Sequence, residues 1–263
     1  MIKRVRVSQL EIGDIIAEDI MYYGRRQPLV TKDTVVNDYI RYRLDELEIV
    51  FAKIYNSDYI DKSEKKNNIK EQIQKNKKVF RAKYNQNVSS MKDIFTDIAK
   101  GNKVNIHKVL NISNEIFKDT QDVYTIIDSI SEIREIDDYT YRHSINVSLY
   151  AMLLGKWLGL GEQSLKELIQ TGVLHDIGKG RVDQDILNKP GKLTDEEFEE
   201  IKKHTIYGYE ICKPVIWLND DMKNGVLMHH EKSDGSGYPF GLKEDKISLY
   251  AKIISVCDVY DAL

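Results

Sequence analysis

Cysteine is scarce in this chain: only Cys212 and Cys257 occur in 263 residues. Their spacing forms no framework, and both lie in apolar-periodic segments. They read as small buried hydrophobes in a reducing compartment, not as a disulfide scaffold. Net charge is scarce too, −3 in total, so no overall field argues for DNA, RNA or a membrane surface as partner. No run of 18 apolar residues is present, so no spanning helix is expected. The start, MIKRVRVSQL, is basic but has no apolar core or small-residue cleavage site behind it. A signal peptide is therefore not expected, and the cytoplasm is the default. No internal repeat is visible. What is there suits a folded protein. Hydrophobic residues make up 41% and charged residues 31%, in a length fit for one large or two to three small domains.

Residues 1–60 read as a small mixed unit of α+β or β-rich type. KRVRV alternates as a half-buried strand does, EIGDIIAEDI holds a Gly-Asp turn and a β-branched run, and GRRQPLVT punctuates a loop leading to a strand. NDYIRYRLDELEI predicts a short helix capped by Asn37, with Ile40, Leu44 and Leu47 on one face, and IVFAKIY a closing strand. Residues 61–135 form a helical connection. Its Lys-rich first part reads as a solvated helix or linker, with a basic patch for an anionic partner as the rival reading. Ile94, Ile98, Val109, Ile112, Ile116, Ile126, Ile127, Ile130 and Ile133 then fall at helical spacing.

From residue 136 to the end nearly everything reads helical, and five of the six histidines lie here. Ile136, Thr140, His143, Val147, Tyr150, Ala151, Leu154 and Leu158 step by three or four, so His143 is on an inward face. Thr194 with Glu197 is a capping box, and Phe198, Ile201, Thr205, Gly208 and Ile211 form the stripe that His204 borders. Ile247, Ala251, Ile254, Asp258 and Asp261 share another face, so two carboxylates continue an apolar stripe. An unpaired buried carboxylate costs several kcal/mol, and a cation is the natural compensation. His175-Asp176 and His229-His230 complete the set His143, His175, Asp176, His204, His229, His230 and Asp258. A lone inward histidine is ordinarily a satisfied core residue, and a lone His-Asp or His-His pair is a weak signal. Their joint occurrence reverses that reading. Seven nitrogen and oxygen donors without a thiolate suit two six-coordinate ions of Fe, Mn, Co or Ni, with Zn also open and Ca or Mg disfavoured. His107 has no such company and reads as an ordinary helix residue.

These residues carry a resemblance. From about Tyr139 to Leu263 the chain resembles the HD-GYP domain, a branch of the HD phosphohydrolase superfamily. The motifs are HSINV at 143, HDIGK at 175, ILNKPGKLTDEEFEEIKKHTIYG from 186, HHEKSDGSGYPFGL from 229 and DVYDAL at 258, with Gly237-Tyr238-Pro239 as the naming triplet. The resemblance implies a mostly α protein with a C-terminal HD-type helical bundle over residues 136–263. It also implies hydrolysis of cyclic di-GMP, to linear pGpG or GMP, by a hydroxide shared between two divalent transition metals, Fe or Mn first. One metal would be held by His143, His175, Asp176 and Asp258, the other by Asp176, His204, His229 and His230. Lys179 and Asp261 would serve substrate phosphate and proton transfer, with Asp176, Lys179 and Asp261 as the catalytic set. Lys179, Tyr238 and Asp234 would contact the nucleotide.

Three departures stand out. Tyr139 occupies the position where members with three metals carry Glu, so two metals are expected. The residues after HDIGK read GRVDQ instead of the usual hydrophobic-Gly-hydrophobic-Pro-Asp, which touches substrate fit. The chain stops at Leu263, before an Arg-Pro-Tyr segment and closing helices, so the domain is expected to be truncated. The alternatives are a hydrolase of another nucleotide and a non-catalytic receptor or adaptor. A signalling protein and a second copy of the chain are open as partners.

Overall fold

Apolar residues recur at three- and four-residue intervals over most of the chain, and the computed structural model is accordingly mostly helical. It describes residues 2–22, 28–55, 62–119 and 139–263. The chain divides into two compact units, Met1–Asn76 and Lys77–Leu263.

In the first unit, β1 (Ile2–Arg6) and β2 (Phe51–Tyr55) pair antiparallel, with Ile2 opposite Tyr55 and Arg6 opposite Phe51. Alternation turns Val5, Ala52 and Ile54 inward, while the Arg4 guanidinium lies 4.1 Å over the Phe51 ring. Two strands alone are marginal. α1 (Asp38–Glu46) supplies the missing cover by adding Ile40 and Leu44 to the same core. Burying each such aliphatic contributes about 1.5–3 kcal/mol. α1 starts where Asn37 accepts the Ile40 N–H at 2.8 Å, as the sequence predicts. The β-branched run makes single bridges, Ile15 to Val35, Ile16 to Ile54 and Ile20 to Val30. Of the loop expected over 24–31, residues 24–27 lie outside the described residues.

α2 (Lys62–Ala99) is one helix of 38 residues, and the Lys-rich stretch is its first part. In the second unit its Tyr84, Val88, Met91, Ile94, Phe95 and Ile98 are buried, as are Val109, Ile112 and Ile116 of α3 (Ile106–Asp119). The expected apolar positions Ile126, Ile127, Ile130, Ile133 and Ile136 lie outside the described residues. α4 (Tyr139–Trp157) packs against α5 (Glu162–Leu174) and α10 (Leu249–Ala262), so it is covered on more than one side. His143, Val147 and Ala151 are buried as the stripe predicts, but so are Ile145, Leu149, Met152 and Leu153, whereas Leu158 is exposed past the helix end.

α6 (Gln184–Leu187) is a single turn. α7 (Asp195–Lys202) starts at the predicted capping box: Thr194 Oγ1 accepts from Glu197 N at 3.2 Å, and Glu197 Oε2 accepts from Thr194 N at 2.7 Å. The chain turns at Lys203 before α8 (His204–Cys212), which resets the helical phase. Thr205, Gly208 and Ile211 are buried, but Phe198 is not part of one continuous inner stripe; it is exposed beneath the Lys202 ammonium. α9 (Asp220–Met228) and α10 are capped by Asn219 and Ser248. Among the described residues no helix is long and apolar enough to cross a membrane.

Candidate metal centre

A helix leaves its last four carbonyls without an intrahelical partner. Three histidines use these groups. His175 follows α5 and its Nδ1 lies 2.7 Å from Gly172 O. His204 follows the end of α7 and its Nδ1 lies 2.8 Å from Ile201 O. His229 follows α9 and its Nδ1 lies 2.8 Å from Val226 O. A carbonyl oxygen only accepts, so each Nδ1 donates and each Nε2 presents a lone pair. His143 sits inside α4, where the carbonyls serve the helix, and its Nδ1 faces Asp261 Oδ2 on α10 at 2.8 Å.

The seven residues singled out in the sequence lie together in two groups, Asp176 with His204, His229 and His230, and His143 with His175 and Asp258. Within each group the donor atoms are within 4.8 Å of one another. Asp176 is shared between them. Its Oδ1 faces His204 Nε2 at 3.4 Å and His229 Nε2 at 4.0 Å; its Oδ2 faces His175 Nε2 at 3.4 Å and His143 Nε2 at 3.9 Å. Asp258 also reaches both groups, with Oδ1 2.9 Å from His143 Nε2 and Oδ2 3.7 Å from His230 Nδ1. One backbone approach makes the geometry feasible. At Gly178 a Cβ would strike the backbone of His204 and Gly208, so only glycine lets the turn after Asp176 lie against the start of α8.

The electrostatics fit a cation at each group. Asp176 Oδ1 and His175 Nε2 are buried and make no hydrogen bond. The Nε2 atoms of His204 and His229 are 3.3 Å apart, and both carry lone pairs, so they repel unless a positive charge lies between them. Burial pushes the pKa of His175, His204 and His229 down, and burial with the neighbouring His204 lowers His230 to about 4. These rings are neutral at pH 7, the form that ligates metals. Burial would raise Asp176, but Lys179 and the surrounding histidines hold it well below the usual carboxylate range. Burial also opposes His143, yet its bonds to Asp258 and Asp261 lift it to about 9, so unlike the other rings it must give up its Nε2 proton before it can ligate a metal. Lys179 Nζ donates to Asp176 Oδ2 at 2.6 Å. Imidazole and carboxylate donors without thiolate suit a divalent transition metal.

A glycine-rich loop closes one side. Tyr238 N donates to His230 O at 3.1 Å, and the Tyr238 ring lies 4.7 Å from the His230 ring, so this predicted contact is at the centre. Glu231, which the sequence reading passed over, is buried and accepts the N–H groups of Phe240 at 2.7 Å and Leu242 at 2.8 Å. A glutamate beside a lysine looks like solvated charge, and nothing in its spacing reveals the clamp. Asp234 is exposed, and its Oδ1 takes Ser236 N at 2.9 Å and Ser236 Oγ at 2.7 Å. Both oxygens of Asp261 are engaged, Oδ2 by His143 and Oδ1 by Asn146 Nδ2 at 2.9 Å. The GRVDQ segment is built as turn and cap: Arg181 pairs with Glu210 at 3.3 Å, and Asp183 caps α6 through Asp185 N at 2.9 Å.

Residues 140–263 match the family model described as HD domain. A Pseudomonas aeruginosa protein named cyclic di-GMP phosphodiesterase is 38% identical over 173 residues, 65% of this chain and 41% of the relative. A Thermotoga maritima protein of the same name is 37% identical over 159 residues, 57% of this chain and 42% of the relative. A Vibrio cholerae protein named 3′3′-cGAMP-specific phosphodiesterase 3 is 38% identical over 128 residues, 48% of this chain and 27% of the relative. The chain thus spans about two fifths of the length of the first two. In fold it is similar to an HDG"Y"P protein from Bdellovibrio bacteriovorus, with a TM-score of 0.55 at 18% identity, covering 99% of this chain and 87% of that one.

Proposed function

We propose that the chain is a metal-dependent phosphodiesterase acting on cyclic di-GMP, from the premise that residues 140–263 match the HD domain model and carry the HD-GYP motifs in order. The observation that carries the reading is Asp176, a buried carboxylate with one oxygen turned to each group of imidazole nitrogens. We assign one ion to His143, His175, Asp176 and Asp258, and a second to Asp176, His204, His229 and His230. Fe or Mn leads, with Zn, Co and Ni as other candidates. When bound, such ions acidify water and neutralise the charge a phosphodiester gains on attack.

The chain's own groups do the rest. The Lys179 ammonium is kept charged: burial opposes it, but Asp176 outweighs burial and raises its pKa. It is half-buried at the edge of the cluster, placed to donate to a substrate phosphate and to pass a proton to the departing ribose oxygen. Asp261 positions His143. Tyr238 offers a ring to a guanine base, and Asp234 shapes the loop that presents it. Products are linear pGpG or GMP. Residues 136–263 form the catalytic domain, 61–135 a helical connection and 1–60 a regulatory module open to a protein partner or a second copy. The cytoplasm is the proposed location, a reducing compartment that the buried free thiols of Cys212 and Cys257 suit.

A second cyclic dinucleotide is favoured by one observation, the relative named as 3′3′-cGAMP-specific. The test is turnover of cyclic di-GMP, 3′3′-cGAMP and pGpG by anaerobically purified protein with Mn or Fe, alongside Asp176→Ala. Cleavage of cyclic di-GMP that falls to background in the variant is expected. A fully active variant overturns the mechanism, and preference for another nucleotide overturns the substrate. Tight binding without cleavage points to a receptor.

A further inference from the structure

His143 differs from the other buried histidines of the centre in what holds it. The group on its Nδ1 is the first link of a longer chain. Tyr84 Oη on α2 lies 2.7 Å from Asn146 Oδ1 on α4. Asn146 Nδ2 lies 2.9 Å from Asp261 Oδ1 on α10, and Asp261 Oδ2 lies 2.8 Å from His143 Nδ1. The directions are forced. The carboxylate only accepts, so the Asn146 amide must turn its NH2 to Asp261 and its oxygen to Tyr84, which then donates. Tyr84 is buried at 3% exposure, so its hydroxyl needs partners; Arg142 is one, and the other, Asn146, leads to the centre.

We propose that Asn146 and Tyr84 are positioning residues for His143, so that the metal affinity of its group depends on α2. This rests on the reading of His143 as a metal ligand. The rings of His175, His204 and His229 are oriented by carbonyls three residues back. His143 takes its orientation from Asp261, 118 positions away, and through Asp261 and Asn146 from α2. α2 reaches the centre a second way. A Cβ at Gly180, next to Lys179, would lie 3.1 Å from Ile98 Cγ2, and the Phe95 ring meets Tyr141 edge-on at 5.4 Å, two residues before His143. One helix therefore abuts the helix of His143 and the turn of Lys179.

The experiment is titration of the full chain with Mn2+, followed calorimetrically, for wild type, Asn146→Ala, Tyr84→Phe and Tyr250→Phe. Tyr250 is the control: it is also buried, at 7% exposure, and its Oη donates to Glu167 Oε2 at 2.7 Å, away from the cluster. Outer ligand partners typically carry 10–100-fold in metal affinity, so Asn146→Ala should weaken one of two sites by about tenfold or more, and Tyr84→Phe, one bond further out, by about threefold. Tyr250→Phe should lower thermal stability and leave affinity unchanged. Equal affinity in all folded variants, or equal weakening in Tyr250→Phe, overturns the proposal. Should Asn146→Ala fail to fold, Tyr84→Phe, which keeps the ring, decides alone. A wild type that binds no Mn2+ overturns the metal reading and this proposal together; a wild type that binds two ions with unaltered variants overturns only this one.

Discussion

His175, His204 and His229 lean on carbonyls of the helices they terminate, whereas His143 leans on Asp261 from another helix. The first arrangement is local. Folding the helix creates the unpaired carbonyl and the ring finds it three residues later. It holds as long as the helix end holds. The second is assembled only when α4, α10 and α2 have docked. Of these four histidines, three are fixed by secondary structure and one by tertiary structure, and of the four only the latter leans on a side chain that a substitution can remove.

The largest effect should come from the residue that belongs to both halves. Asp176→Ala removes an oxygen from each group, so metal analysis of the purified variant should find both ions lost, along with turnover. One retained ion would show that the halves do not share this carboxylate. Next comes Asp261→Ala, which strips His143 of its holder and leaves the carbonyl-held rings untouched. It should weaken one Mn2+ site by about 10–100-fold and spare the other. Equal weakening of both would dissolve the distinction between local and assembled support. Smaller again is Glu231→Ala. Two loop N–H groups lose their acceptor, at a cost of about 1–3 kcal/mol, read as a lower Tm and faster proteolysis within 231–242. Metal affinity should change little, since His229 keeps its carbonyl. The smallest effect belongs to Asp234→Ala. An exposed turn loses side-chain bonds to Ser236, so the Tm should barely move and both Mn2+ sites should stay intact. A lost site there would place Asp234 closer to the chemistry than its bonds indicate.

The cluster of histidines and aspartates was legible because its members break a rule that each helix shows on its own. Polar residues on an inward stripe need compensation, and His143, His204 and Asp258 can be seen to lie on or beside such stripes without any knowledge of neighbours. Caps at Asn37 and Thr194 were legible for the same local reason. Periodicity does not carry what another element supplies. Asn146 looks like one more polar helix residue until Tyr84, 62 positions earlier, is brought to it. The coverage of α4 on several sides, which buries Leu149 and Met152 off the expected stripe, follows from two helices choosing the same neighbour. The turn at Lys203 resets the phase and leaves Phe198 exposed, although its spacing to Ile201 is that of one face.

Gly178 has a consequence for tolerance. Where the turn after Asp176 lies against His204 and Gly208, main chain meets main chain with no side chain between them. The gap between the two halves of the centre is therefore a dimension of the backbone, like the rung length of a ladder. Substitutions in the surrounding core can alter packing by a methylene here or there, but they have nothing at this point to push apart. The spacing between the two donor groups is insulated from drift in the rest of the sequence, and a single added carbon at position 178 is the change that would reset it.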